Sequence, residues 1–239
     1  MPVSLQQAYK KSDEYSVHGM PDPEISRYNA AKIPEDCRRL ASMRSRGNLG
    51  RTIAGIVLDY SPADVLKMKR NFGNNVAGLP ADYREQLERK INEQLLGTYQ
   101  SIRLKNQQGS FAVMTEPVDR NSETYWAMVE EQCRPECGSD DIRLRFLKFL
   151  LAGFCMLVMH EPGHPVGTPF PGGDRVERID GIYYCPVRIK ANDVDAALCP
   201  FCPAEQTPEI GYLKPPVHAS EHRKQEFIEH CHRFHNFNG

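Results

Sequence analysis

The sequence predicts a mainly α-helical fold with a small C-terminal β-hairpin module. Three observations support this fold class. Apolar residues recur at helical spacing up to about residue 159, prolines and glycines crowd the run 161–173, and an Asp-Gly pair then joins two β-prone runs. We therefore expect a helical domain over residues 1–160. A module with a hairpin and a closing helix should occupy residues 161–239 and pack on that domain.

Prolines, acids and hydroxyl groups mark the helix starts of the first domain. Pro34, followed by two acids, is typical of a first helical turn. Ser61 with Pro62 at the next position resembles a capping box, and Gly73 should stop the helix that it opens. Ser122 should cap a further helix, and the run 139–141 another one.

The longest helix is predicted over residues 80–105, because apolar side chains step there by four positions. The most apolar stretch, 146–159, is interrupted by Lys148 and is too short to span a bilayer, so it should form a buried core helix. Arg44, Arg46 and Arg51 flank two glycines in what we interpret as a solvated basic loop, since no phosphate-binding motif accompanies them.

The charge balance excludes some classes of partner. The 239 residues include 30 basic and 31 acidic ones, for a net charge of -1, which gives no electrostatic reason to bind nucleic acid or an anionic membrane. The N-terminus shows no signal peptide. Eight cysteines without a secretion signal indicate a reducing, cytoplasmic location, where closely spaced cysteines are more often metal ligands or reactive thiols than disulfides.

Three cysteines near the C-terminus form the main candidate site. Cys199 and Cys202 lie on a Cys-Pro-Phe-Cys turn, and Cys185 precedes a proline at the end of the predicted hairpin. Two thiolates on a tight turn can point at one cation, and backbone N–H groups can support the sulfurs. A hairpin with little apolar material gains stability from an ion, so the pattern predicts a structural, zinc-knuckle-like metal site.

The fourth ligand is left open by the sequence. His164 is the first choice, because it lies in the Gly/Pro loop that leads into the hairpin. Cys137 or Cys133 comes next and would suit a [4Fe–4S] cluster as well as zinc, whereas three cysteines with one histidine favour zinc. Cys231 is third. A water in the fourth position would leave the site open for hydrolysis, with Glu161 as base.

The segment His160-Glu161-Pro162-Gly163-His164 matches the HExxH pattern of zinc proteases. That chemistry needs both histidines one turn apart on a helix. Proline and glycine between them should end the helix first, so we do not expect protease geometry.

The runs 164–173, 183–187 and 198–206 resemble an uncharacterised family of methanogenic archaea, domain of unknown function 2115, also known as uncharacterised protein family 305. The resemblance implies an archaeal cytoplasmic protein linked to anaerobic metabolism, and it supports a shared site of His164, Cys185, Cys199 and Cys202. It implies no established activity. We expect an accessory, non-catalytic protein that acts through contacts with a protein partner.

Overall fold

The computed structural model describes residues 27–134, 141–170, 173–188 and 198–208. Its helices are Ile33–Ala41 (α1), Arg46–Val57 (α2), Pro62–Asn75 (α3), Ala81–Gln107 (α4), Ser122–Gln132 (α5) and Ile142–Gly153 (α6). A π-helical segment, Phe154–Val158, continues α6, and the strands are Glu177–Ile179 (β1), Ile182–Cys185 (β2) and Glu205–Gln206 (β3). The mainly helical fold class is confirmed. The predicted closing helix lies outside the described residues.

Helix α3 begins as its sequence predicts. The Ser61 hydroxyl accepts a hydrogen bond from the Asp64 N–H, and the Asp64 carboxylate accepts one from the Ser61 N–H. This reciprocal pair satisfies two donors of the first turn. The predicted stop at Gly73 is wrong, since the helix continues to Asn75. A glycine ends a helix when it turns left-handed, and Gly73 is absent from the residues with positive φ.

The predicted basic loop is also wrong, because Arg46 and Arg51 lie in α2. The Ser45 hydroxyl caps this helix by accepting from the Asn48 N–H. Gly47 allows the backbone of α2 to approach a neighbouring backbone segment closely. A Cβ atom at Gly47 would lie 2.1 Å from the carbonyl oxygen of Phe111, in the 3₁₀ turn Ser110–Val113. Because packing against this turn stabilises α2, the segment is helical although its glycines suggest a loop.

The starts of α5 and α6 differ in how well the sequence predicts them. Asp141 caps α6 by accepting from the Leu144 N–H, as expected for the run 139–141. Ser122, the predicted cap of α5, is instead its first helical residue and is buried. Asn121 takes the capping position, and the Asp119 carboxylate accepts from its N–H at 2.7 Å.

Two apolar clusters organise the described residues. The larger one is built from the six helices and the π-helical segment, all five residues of which are buried. The smaller one belongs to the sheet region and contains Phe170, Val176, Cys185, Val187 and Ala204. The chain leaves the helices at Val158, and His160 follows in a left-handed conformation with φ of 59°.

The predicted hairpin is confirmed and gains a third strand. Asp180 and Gly181 have φ values of 50° and 87°, which matches the Asp-Gly turn that fits strand twist. β1 pairs antiparallel with β2, and β2 pairs parallel with β3. The sheet region is tied to α4, since the Tyr83 hydroxyl donates to the Pro169 carbonyl at 3.2 Å and Arg175 donates to Gln86 at 2.8 Å.

Candidate thiolate metal centre

Three predicted site cysteines lie together beside the sheet. Cys185 is the last residue of β2, while Cys199 begins the 3₁₀ turn Cys199–Phe201 and Cys202 follows it. The three sulfurs interact electrostatically, since Cys202 raises the pKa of both other thiols and Cys185 raises that of Cys199. Two separate chain segments, the end of β2 and the turn at residues 199–202, therefore bring three thiols into one small region.

Burial controls the ionisation of these thiols. It raises the pKa of Cys185 to about 11 and that of Cys199 to about 12, and it also raises the pKa of Cys202. Because an apolar environment disfavours the thiolate, all three groups stay protonated at neutral pH without a cation. A bound metal ion would reverse this, since it takes up thiolates and releases their protons.

Hydrogen bonds from backbone amides lower the pKa of two of the thiols. The Val187 amide lowers the pKa of Cys185, and the Ala204 amide lowers that of Cys202. Both amides come two residues after their cysteine, on the far side of a proline. The Gly163 N–H also donates to the Cys202 sulfur at 3.4 Å. Amide donors that face sulfur stabilise a thiolate, as they do around metal-bound cysteines.

The loop that carries His164 reaches the same region. Gly163, its neighbour in the chain, provides the N–H at Cys202. The His164 ring packs edge-on against Phe170, with ring centroids 5.6 Å apart and planes at 86°. Phe170 belongs to the same apolar cluster as Cys185. The structure thus places the first-choice fourth ligand next to the residues that surround the thiols.

The other candidate ligands are located differently. Cys133 is buried at the end of α5, where it raises the pKa of Cys37 in α1. The groups that shift the pKa values of the three sheet-side thiols do not include Cys133. Cys137 and Cys231 lie outside the described residues.

The thiols are neighbours but do not form a closed ligand shell. Among residues 27–134, 141–170, 173–188 and 198–208, no three His, Cys, Asp or Glu side chains are grouped tightly enough to hold one metal ion. Binding an ion would therefore require the sulfurs to rotate towards a common point, or a ligand from elsewhere in the chain.

The HExxH match does not form a protease site. Helical structure ends at Val158, and both His160 and Glu161 are exposed in the following loop. The two histidines thus do not share a helix face, as predicted from Pro162 and Gly163. Because the pattern needs successive helical turns, the zinc-protease interpretation is excluded.

Arg188 is a feature of the site that the sequence did not reveal. Its Nε donates to the Ala204 carbonyl at 3.1 Å, and its Nη2 donates to the Pro200 carbonyl at 3.4 Å. Its charge lowers the pKa of all three thiols. The only signal in the sequence is its position three residues after Cys185, which does not distinguish it from a surface arginine.

Fold and site together define a helical protein that carries a small, cysteine-bearing sheet on its surface. The chain belongs to the family described as "Uncharacterized protein conserved in archaea (DUF2115)", whose profile matches residues 45–207. The matched range begins one residue before α2 and includes His164 and the three cysteines, so the resemblance inferred from the sequence is confirmed.

Similar proteins come from methanogenic archaea. A UPF0305 protein of Methanopyrus kandleri is 32% identical over 131 residues, which cover 55% of this chain and 89% of that protein. A UPF0305 protein of Methanothermobacter thermautotrophicus is 46% identical over 69 residues, 29% of this chain and 44% of that protein. One from Methanocaldococcus jannaschii is 23% identical over 64% of this chain and 90% of that protein. No solved structure gives a significant match.

Within the described ranges, no helix combines the length and apolar character that crossing a bilayer requires. The prediction from the run 146–159 agrees with this finding, since α6 and the π-helical segment are almost entirely buried in the larger cluster.

Proposed function

We propose that this archaeal protein binds one structural zinc ion through Cys185, Cys199 and Cys202, with His164 as the fourth ligand. The protein then acts as an accessory, non-catalytic component of the reducing cytoplasm, through contacts with a protein partner. The observation that carries the proposal is the meeting of three thiols from two chain segments, the buried Cys185 and Cys199 and the partly buried Cys202. Backbone amides at the second following residue face the sulfurs of Cys185 and Cys202.

The energy of zinc binding is large enough to close the ligand shell. Rotating a side chain away from its preferred rotamer costs about 1 kcal/mol. Structural zinc contributes roughly 10–16 kcal/mol of apparent binding free energy in small modules at neutral pH. That gain exceeds the cost of moving three sulfurs and one imidazole towards a common point, so the present spacing of the thiols is compatible with an ion.

The site lies where an ion would join the sheet region to the helices. Cys202 packs against both apolar clusters. The ring of Phe201, its neighbour, meets Tyr125 of α5 edge-on, with centroids 5.1 Å apart. A zinc ion held by Cys185 and the Cys199–Cys202 turn would therefore fix β2 to the helical core, which is the role of a structural site.

Elemental analysis of the full chain, purified without added metal or oxygen, tests the proposal. We expect about one zinc per chain. Cys199→Ser should lose it, because the turn then lacks a thiolate. Cys155→Ser is the matched control, since Cys155 is a buried cysteine of the helical core that contacts Gln94 and Thr98. This control variant should keep the wild-type zinc content.

Other results would contradict parts of the proposal. Wild-type protein without any bound metal, or Cys199→Ser with undiminished zinc, would reject the metal centre. Brown protein that contains iron and sulfide would assign the same cysteines to a [4Fe–4S] cluster instead. Full zinc content and affinity in His164→Ala would show that the fourth ligand is another residue.

A further inference from the structure

Arg188 connects the two segments that carry the cysteines. It lies three residues after Cys185, at the end of the β2 segment. Its guanidinium donates to the carbonyl of Pro200, inside the Cys-Pro-Phe-Cys turn, and to that of Ala204, two residues after Cys202. The Arg188 side chain thus holds the Cys199–Cys202 turn, and the residues that follow this turn, against the end of β2.

The charge of the proposed centre calls for a nearby cation. Three thiolates and a divalent zinc ion, with a neutral imidazole as the fourth ligand, carry a net charge of -1 in total. Burying an uncompensated charge costs several kcal/mol, so partly buried charges are paired. Arg188 is a cation that two hydrogen bonds, to the carbonyls of Pro200 and Ala204, hold beside the cysteine turn. Its guanidinium stays charged at every physiological pH.

We propose that Arg188 is the built-in counter-charge of the metal centre. Its single positive charge favours a ligand shell of three thiolates and one neutral ligand. This inference rests on the proposed function. With Arg188 present, a zinc centre of three cysteines and one histidine is neutral overall. Four thiolates around zinc, or around a [4Fe–4S] cluster of charge +2, would leave one negative charge uncompensated.

Two variants of Arg188 distinguish the role of its charge from the role of its hydrogen bonds. Arg188→Lys keeps the charge but loses the planar fork of donors. Arg188→Gln keeps amide donors but loses the charge. Arg178→Gln is the matched control, because Arg178 is an exposed arginine of β1 whose guanidinium lies 5.2 Å from the Tyr183 ring, at the other end of the hairpin from the Cys199–Cys202 turn.

The test measures zinc affinity of the full-length variants by competition with a chromophoric chelator. We expect Arg188→Gln to weaken zinc binding by roughly 10- to 100-fold, the range typical for residues that support metal ligands. Arg188→Lys should stay within about 3-fold of wild type and Arg178→Gln should be unchanged, because metal affinity follows the compensating charge. Cobalt-loaded variants should keep the wild-type absorption spectrum, which shows that the ligands are the same.

Two results would overturn the inference while leaving the zinc site in place. Wild-type affinity in Arg188→Gln would show that the centre needs no counter-charge. An Arg188→Lys variant as weak as Arg188→Gln would assign the effect to the hydrogen bonds alone. If wild-type protein binds no zinc, the proposed function itself fails. Far-UV circular dichroism of each variant in excess zinc verifies that a lost affinity is not a lost fold.

Discussion

Lys148 is a charged residue buried inside the helical core. It lies in α6 with 8% of its surface exposed, beside Arg145 at 7%, and its Nζ lies 4.5 Å from the centre of the Phe149 ring. Burial, together with the nearby charge of Arg145, lowers the pKa of Lys148 to about 7. The neutral form is thus favoured in the folded protein, while the unfolded chain holds its proton up to its ordinary pKa near 10.4.

Replacing Lys148 should change how stability depends on pH. Between pH 7 and about 10.4 the unfolded state binds more protons at this position than the folded state, so stability rises with pH there. Lys148→Met removes this contribution. The variant should gain stability relative to wild type at pH 7, by an amount on the order of 1–3 kcal/mol.

Urea unfolding of both proteins at several pH values measures this difference. The advantage of Lys148→Met over wild type should shrink as the pH rises from 7 to 10. Lys67→Met provides a comparison, because it makes the same substitution at an exposed lysine, one that is paired with Asp141 on the surface. A constant difference across that range would mean that Lys148 is charged in the folded protein.

At the scale of single elements, α2 shows how packing decides the role of a glycine. Gly47 faces the Phe111 carbonyl, while a Cβ at Gly55 in the same helix would have no neighbour within 4 Å. Gly47→Ala should destabilise the protein by several kcal/mol, since backbone must move to admit the methyl group. Gly55→Ala should stabilise it by about 1 kcal/mol, because alanine is the better helix former.

Thermal unfolding of the two alanine variants tests this contrast. Opposite shifts of the transition temperature are expected for Gly47→Ala and Gly55→Ala. Equal shifts would show that the helix does not pack closely on the 3₁₀ turn around Phe111.

Local sequence signals predicted some elements correctly and missed others for a physical reason. The Ser61 capping box and the Asp180-Gly181 turn involve residues only a few positions apart, so the sequence alone determines them. The helix α2 depends on contact with residue 111, far along the chain, and glycines alone indicated a loop. β3 has only two residues, too few to show any periodicity.

At the scale of the whole molecule, the candidate site was predicted in part. The spacing of Cys199 and Cys202 and the proline after Cys185 identified the three thiols, because chelating turns have a local signature. Arg188 and the Gly163 amide join the site only through folding. No pattern in the sequence marks them.

Removing zinc should loosen the sheet region while the helices persist. Under the proposed function, the ion supplies much of the stability of the small cluster around Phe170, whereas the larger cluster is held by six helices. A chelator should therefore expose the chain beyond residue 160 to limited proteolysis and leave most of the helical circular dichroism unchanged. Added zinc should restore protection. A digestion pattern that is unchanged by the chelator would contradict a structural role for zinc.

The π-helical segment Phe154–Val158 sets the direction in which the chain departs from α6. The Met159 N–H donates a hydrogen bond to the carbonyl of Phe154, five residues earlier, so the segment is wider than an α-helical turn. Deleting a single residue here would restore ordinary winding and rotate everything downstream by roughly 100° about the helix axis. Gly163 would then swing away from the sulfur of Cys202. The assembly of the cysteine site thus depends on one surplus residue in a helix that contributes no ligand to it.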